Sequence, residues 1–169
     1  MCQALRNLSG SRPRVVIIGV GNNLRGDDAA GIAVAHSLLS IQGTEGPSLA
    51  GGVSLLVIDA GSAPENFTGI VRCFVPELVL LVDAAQMDDV PGTVRWLEWQ
   101  DTAGLSASTH SLPLHIVAAY LATEMGCAVA LIGIQPSATD LGAPISPAVQ
   151  QAVHTVVTGL LETLNPNTD

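Results

Sequence analysis

Four β-branched apolar residues in a row, Val15-Val16-Ile17-Ile18, run straight into Gly19-Val20-Gly21-Asn22-Asn23-Leu24-Arg25-Gly26-Asp27-Asp28, and this stretch restricts the fold more than any other. Such a run reads as a strand covered on both faces, and covered strands belong to parallel sheets flanked by helices. The glycines close the strand in a tight turn, and a helix from about Asp28 to Leu39 follows, with Ile32, Ala35, Leu38 and Leu39 spaced for one buried face. Strand, turn and helix in this order open an α/β domain, whose ligands sit beyond the carboxyl ends of the strands.

Charge narrows what that turn can hold. Its glycines run G-x-G-x-x-x-x-G rather than the dinucleotide pattern G-x-G-x-x-G, and Asp27 and Asp28 stand where a helix N-terminus would meet a pyrophosphate. A nucleotide-binding oxidoreductase using this turn is therefore the weaker reading, and micromolar binding of a nicotinamide cofactor would revive it. A single acid at a helix start is an ordinary cap that suits the helix dipole. Two adjacent acids at the mouth of an α/β sheet point instead to a cation.

A chain of 169 residues, 48% of them hydrophobic, supports one domain with a substantial core. Residues 1–13 carry no period and read as a flexible N-terminal arm, leaving 14–169 as the single α/β domain. Six basic against fifteen acidic residues give a net charge of −9, which disfavours nucleic acid and anionic membranes as partners. Cys2, Cys73 and Cys127 are scattered, with neither a disulfide framework nor a thiolate zinc spacing. No run approaches the ~20 apolar residues of a membrane span, and Met1 to Arg14 lacks the apolar centre of a signal peptide. The expectation is a cytoplasmic protein.

Further strands each deliver an acid to the same edge. Val53-Ser54-Leu55-Leu56-Val57-Ile58 follows a flexible loop containing Gly43, Gly46, Pro47, Gly51 and Gly52, and ends at Asp59. Ser62 and Glu65 then have the spacing of a capping box at the start of a second helix, with Pro64 in its first turn. The third strand, Leu78-Val79-Leu80-Leu81-Val82, ends at Asp83. Between Asp83 and the fourth strand, Thr93 to Trp99, lies only a short linker with Pro91-Gly92, too little for a crossover helix, so this strand runs antiparallel. The stretch Gln100 to Thr109 then returns to the carboxyl edge, since ten extended residues cover about 33 Å. His110 arrives there ahead of a helix led by Pro113 and reaching about Met125. The fifth strand, Ala128 to Ile134, ends at Gln135-Pro136, and a last helix runs from N-cap Ser146 and Pro147 to about Leu164.

Of the four histidines, His36 and His154 fall inside predicted helices and read as surface or packing residues. His115 is five residues beyond His110, which is not a same-face helical spacing. His110 lies in the small-residue loop Ser106-Ala107-Ser108-Thr109-His110-Ser111 on the side of the aspartates. Two carboxylates and an imidazole suit a divalent ion such as nickel or zinc. A hydrolase triad from Ser108 or Ser111 with His110 and an aspartate is the alternative, but no G-x-S-x-G elbow is present.

Five blocks together resemble the hydrogenase maturation endopeptidases of nickel–iron hydrogenases, most closely the hydrogenase 3 branch. They are Gly19-Val20-Gly21-Asn22 with Gly26-Asp27-Asp28-Ala29-Ala30-Gly31, Asp59-Ala60-Gly61-Ser62-Ala63-Pro64-Glu65-Asn66, Val82-Asp83-Ala84, Thr109-His110-Ser111-Leu112-Pro113-Leu114 and Gly133-Ile134-Gln135-Pro136. The resemblance runs from the first strand to the last helix. With the linker argument it implies a three-layer αβα sandwich around one five-stranded, mostly parallel sheet of order 2-1-3-5-4, with strand 4 antiparallel.

The resemblance also implies a function: a metal-dependent or aspartic-type endopeptidase, expected to act as a monomer, that cuts the C-terminal extension from the nickel-loaded precursor of a hydrogenase large subunit. Its metal contacts map onto Asp28, Asp83 and His110, and Asp59 matches a recurrent acid that is a further catalytic candidate. Asp28 is a glutamate in many members, so the carboxylate here sits about one methylene further back. Nickel is expected to come with the precursor, and zinc or cadmium to fill the same ligands in vitro. A nickel-binding maturation chaperone with the same ligands and no cleavage is the alternative.

Overall fold

The computed structural model describes residues 13–42, 48–50, 52–102 and 112–164; the N-terminal arm before Pro13 and the loop with Ser108, His110 and Ser111 lie outside the described residues. Strand β1 (Arg14–Gly19) leads through a 3-10 turn (Gly26–Ala29) into α1 (Ala30–Gln42). Next come β2 (Ser48–Ala50), β3 (Val53–Asp59), a 3-10 turn (Pro64–Phe67), α2 (Thr68–Phe74) and β4 (Leu78–Ala84). Strand β5 (Val94–Glu98), a 3-10 turn (Trp99–Thr102), α3 (Leu114–Met125), β6 (Ala128–Ile134) and α4 (Pro147–Leu164) complete the order.

The sheet runs β2-β3-β1-β4-β6-β5. Strands β3, β1, β4 and β6 are parallel, and β5 is antiparallel to β6. The five expected strands thus stand in the expected order 2-1-3-5-4, with the strand after Pro91-Gly92 reversed. One element is additional. Ser48–Ala50, read from sequence as part of a flexible loop, forms a three-residue edge strand antiparallel to β3. Its pairing comes from the neighbouring strand, because three residues between glycines carry no period of their own.

Alternation along the strands divides the core in two. Val15, Ile17, Leu55, Val57, Leu80 and Val82 meet α1 and α4 on one face. Val16, Ile18, Leu56, Ile58, Val79 and Leu81 meet α2 and α3 on the other. Every residue of β4 is buried, and each such aliphatic side chain contributes about 2 kcal/mol through lost contact with water. On α1, Ile32, Ala35 and Leu38 are buried as their spacing predicts, while Leu39 is only half-buried.

Backbone meets backbone where α1 crosses the sheet. A Cβ on Gly19 would lie 2.2 Å from the Gly31 carbonyl oxygen, and one on Gly31 would lie 2.1 Å from that of Val82. No other residue fits at either place. Gly21, at φ +145°, brings the turn equally close, since a Cβ there would stand 1.8 Å from the Asp28 carbonyl oxygen.

Two local expectations are corrected. The 3-10 turn after β3 starts at Pro64 with Ala63 at its N-cap and no side-chain cap, so Ser62 and Glu65 do not form a capping box. Proline occupies the first helical position, and this moves the cap one residue past Ser62. Likewise Pro113 is the N-cap of α3 rather than its first residue. At α4, Pro147 does take the first position, and the Val149 amide donates to the Ser146 hydroxyl at 3.4 Å.

Candidate active site

The carboxyl ends of β1, β3 and β4 carry the acids. Gly19 of β1 is level with Asp59 of β3 on one side and with Val82 of β4 on the other. Asp83 is thus one residue further along β4. The turn Gly26–Ala29 lies against β4, and the Val20 amide donates to the Val82 carbonyl at 2.9 Å. This brings the backbone of Asp28 to the end of the strand that carries Asp83. Both acids are buried, at 0% and 3% exposure. Burial penalises a carboxylate unless cations or hydrogen-bond donors compensate it.

Asp27 has a different occupation from its neighbour. Its Oδ2 accepts from the Ser137 amide at 2.7 Å, the Ala138 amide at 3.2 Å and the Ser146 hydroxyl at 2.9 Å. Its Oδ1 accepts from the Ser146 amide at 2.6 Å, and its own amide donates to the Ala138 carbonyl at 3.0 Å. Burial pushes this carboxyl up, but the donors of Ser146, Ser137 and Ala138 outweigh it and hold the group below the usual aspartate range. The pair read from sequence as a joint cation lure is therefore divided. Asp27 fastens the loop between β6 and α4, so of the two only Asp28 is still a candidate for the site.

Sheet alternation separates Asp59 from Asp83. Asp59 follows the parity of Val57, on the α1 face, whereas Asp83 follows that of Leu81, on the α2 and α3 face. Asp59 is partly exposed, and its Oδ2 accepts from Nε2 of His36 on α1 at 2.6 Å. Its Oδ1 accepts from the Gly61 amide at 3.0 Å. His110 lies outside the described residues, but Leu112 and Leu114 directly after it pack on the face of Asp83. Among the described residues no group of three or more His, Cys, Asp or Glu has the geometry of a metal site. His115 on α3 is half-buried and His154 on α4 is exposed.

A family model for hydrogenase maturation proteases, HycI, matches residues 34–163. The chain belongs to the hydrogenase maturation proteases. It is 36% identical over 149 residues to a Methanocaldococcus jannaschii chain described provisionally as such a protease, covering 88% of this chain and 87% of that one. It is 34% identical over 142 residues to the hydrogenase 3 maturation protease of Escherichia coli, covering 83% and 85%. The crystal structure of the [NiFe] hydrogenase maturation protease HycI from Thermococcus kodakarensis superposes with a TM-score of 0.78 at 33% identity, covering 95% of this chain and 97% of that one. The family makes the chain an endopeptidase, a hydrolase of hydrogenase maturation. Among the described residues no helix is long and apolar enough to cross a membrane.

For a hydrogenase maturation protease the edge around Asp83 must hold its shape, and a residue with no assigned part in the sequence reading does this. Gln135 is buried, and its Oε1 accepts from the amides of Met87 at 2.7 Å and Asp89 at 3.3 Å. Its Nε2 donates to Gln86 Oε1 at 3.0 Å and to the Pro136 carbonyl at 3.2 Å. Its amide donates to the Thr93 carbonyl, and its carbonyl accepts from Gly92. The loop following Asp83 is thus pinned from both ends. The one sequence signal was a polar residue directly after the apolar β6, at the carboxyl end of a central strand. Asp27 and His36 gave no comparable signal, because their partners are remote in sequence.

Proposed function

We propose that this maturation protease removes the C-terminal extension from the precursor of a nickel–iron hydrogenase large subunit after nickel insertion, and that it recognises the precursor's own nickel. The observation that carries the reading is the pair of buried acids, Asp28 in the turn against β4 and Asp83 at the end of β4. Leu112 and Leu114, which follow His110 in sequence, pack on the sheet face of Asp83, and this favours His110 as the third ligand. Nickel enters as part of the substrate, already held by soft thiolates. Two carboxylates and one imidazole supply a harder set that completes its coordination. A precursor without nickel offers no cation to the buried acids and is not engaged.

Cleavage adds water across one peptide bond, its hydroxyl going to the carbonyl carbon and a proton to the departing amine. The ion polarises the carbonyl or an aspartate takes the water's proton; in either case Asp28 and Asp83 are the groups at hand. Zinc or cadmium would occupy the same ligands in vitro. The reading places the protease in the cytoplasm, acting as a single chain on a protein precursor, with no role for nucleic acid or membrane.

The test is mass spectrometry of nickel-loaded and nickel-free precursor incubated with the protein. Loss of the C-terminal peptide from the loaded form alone is the expected result. An unchanged mass, with nickel bound by both proteins, would identify a non-cleaving nickel chaperone instead. In the same assay His110→Ala should be inactive and His115→Ala active; the reverse would remove His110 from the ligand set.

A further inference from the structure

We infer that Asp59 is a positioning residue, held by His36, that fixes the glycine turn carrying Asp28, and that it is neither a metal ligand nor a general base. The inference rests on the proposed nickel-guided processing for its activity readout, but its structural argument is independent of it.

Asp59 is placed away from the other acids. It is level with Val82 across the intervening β1, and two strand spacings put their backbones about 10 Å apart. Its side chain belongs to the α1 face and that of Asp83 to the opposite face. Both of its oxygens are engaged, Oδ1 by the Gly61 amide at 3.0 Å and Oδ2 by Nε2 of His36 at 2.6 Å. A ligand or base would have to abandon these donors.

What the donors accomplish is visible one bond further on. Gly61 has φ +53°, a left-handed conformation, and the Asp59 carboxylate caps its amide. The Gly61 carbonyl then accepts from the Gly21 amide at 2.9 Å, and the Ala60 amide donates to the Gly19 carbonyl at 2.9 Å. These two bonds staple the turn after β3 to the turn after β1. Directly after Gly21, the Asn22 amide donates to the Asp28 carbonyl at 3.2 Å. An unbroken path therefore leads from His36 through Asp59, Gly61, Gly21 and Asn22 to the backbone of Asp28. The carboxylate is needed for its shape as an acceptor, not for its charge at a reacting atom.

Asparagine separates the two roles. In Asp59→Asn the side-chain oxygen still accepts from Gly61, and the amide NH2 donates to Nε2 of the other His36 tautomer. Asp59→Ala keeps neither bond. Two measurements are made on both variants and on His36→Ala: amide hydrogen exchange at Gly61 and Gly21 in the full chain, and cleavage of nickel-loaded precursor. We expect Asp59→Ala to speed exchange at both amides about tenfold, the worth of one net hydrogen bond, and to lower kcat/KM similarly. His36→Ala should show the same pattern at smaller amplitude, and Asp59→Asn should rescue both readouts to within about threefold of wild type. An Asp59→Asn protein with protected glycine amides but no cleavage would overturn the inference and give the charge a direct part in the reaction. If wild-type protein itself leaves the loaded precursor uncut, the functional proposal fails, and exchange alone then decides: unchanged rates at Gly61 and Gly21 in Asp59→Ala would overturn the positioning role.

Discussion

Two turns at the carboxyl edge of the sheet each rest on an aspartate, and the two are built differently. The turn after β1 contains Asp27, almost fully buried and holding four donors from the β6–α4 loop. The turn after β3 rests on Asp59, whose histidine partner is more than half exposed. Buried charge-assisted hydrogen bonds are worth roughly twice neutral ones, whereas an exposed ion pair contributes little. The carboxyl edge of the sheet thus has a firm wall and a lightly held one. The same residue type at the end of a strand tells nothing about function until its donors are known.

The largest expected effect belongs to the two candidate acids of the site. Asp28→Asn and Asp83→Asn should each lower processing by more than about a hundredfold, through the loss of a charged ligand, while unfolding at the wild-type denaturant midpoint or above it. Unimpaired cleavage by either variant would remove that acid from the site.

Asp27→Asn should act on stability instead. An amide in place of the carboxylate faces donors with a donor, so we expect a loss of about 3 kcal/mol in denaturant unfolding. A loss below about 0.5 kcal/mol would mean that the β6–α4 loop is held elsewhere. The pH dependence follows from the same group. Its folded pKa lies below the unfolded value near 3.8, so its contribution is complete above that value and disappears as pH falls through the folded one. Wild-type stability should decline below about pH 4, and the part of that decline due to Asp27 should be missing in Asp27→Asn.

The smallest effect belongs to the other wall. His36→Ala removes a partly exposed partner and should cost about 1 kcal/mol or less. A larger loss would erase the contrast between the two turns.

The strands were legible because apolar runs report burial on both faces, their order through the family resemblance, and the reversed β5 because Pro91-Gly92 leaves no length for a crossover. The candidate acids Asp59 and Asp83 were legible as residues at strand ends, and Asp28 as part of the glycine turn. Their division of labour was not. The donors to Asp27 lie 110 to 119 positions away, and the His36–Asp59 bond joins a helix to a strand 23 positions on. No periodicity encodes such pairs. The edge strand Ser48–Ala50 escaped for a related reason, since its structure is set by the register of β3 rather than by its own three residues.

The contact of Gly19 and Gly31 with the neighbouring backbone has a mechanical consequence. Elsewhere in the molecule the distance between helix and sheet is set by side chains, and it yields by tenths of an ångström when a core residue is exchanged. At this corner peptide planes touch directly, so the spacing is a hard stop rather than a spring. Core variants at positions such as Val34 or Leu38 should therefore change how tightly the molecule is held together while leaving the height of Asp28 above the sheet where it was. The site is insulated from drift in the packing beneath it, whereas a side chain at Gly19, Gly31 or Gly21 would press directly on backbone and shift it.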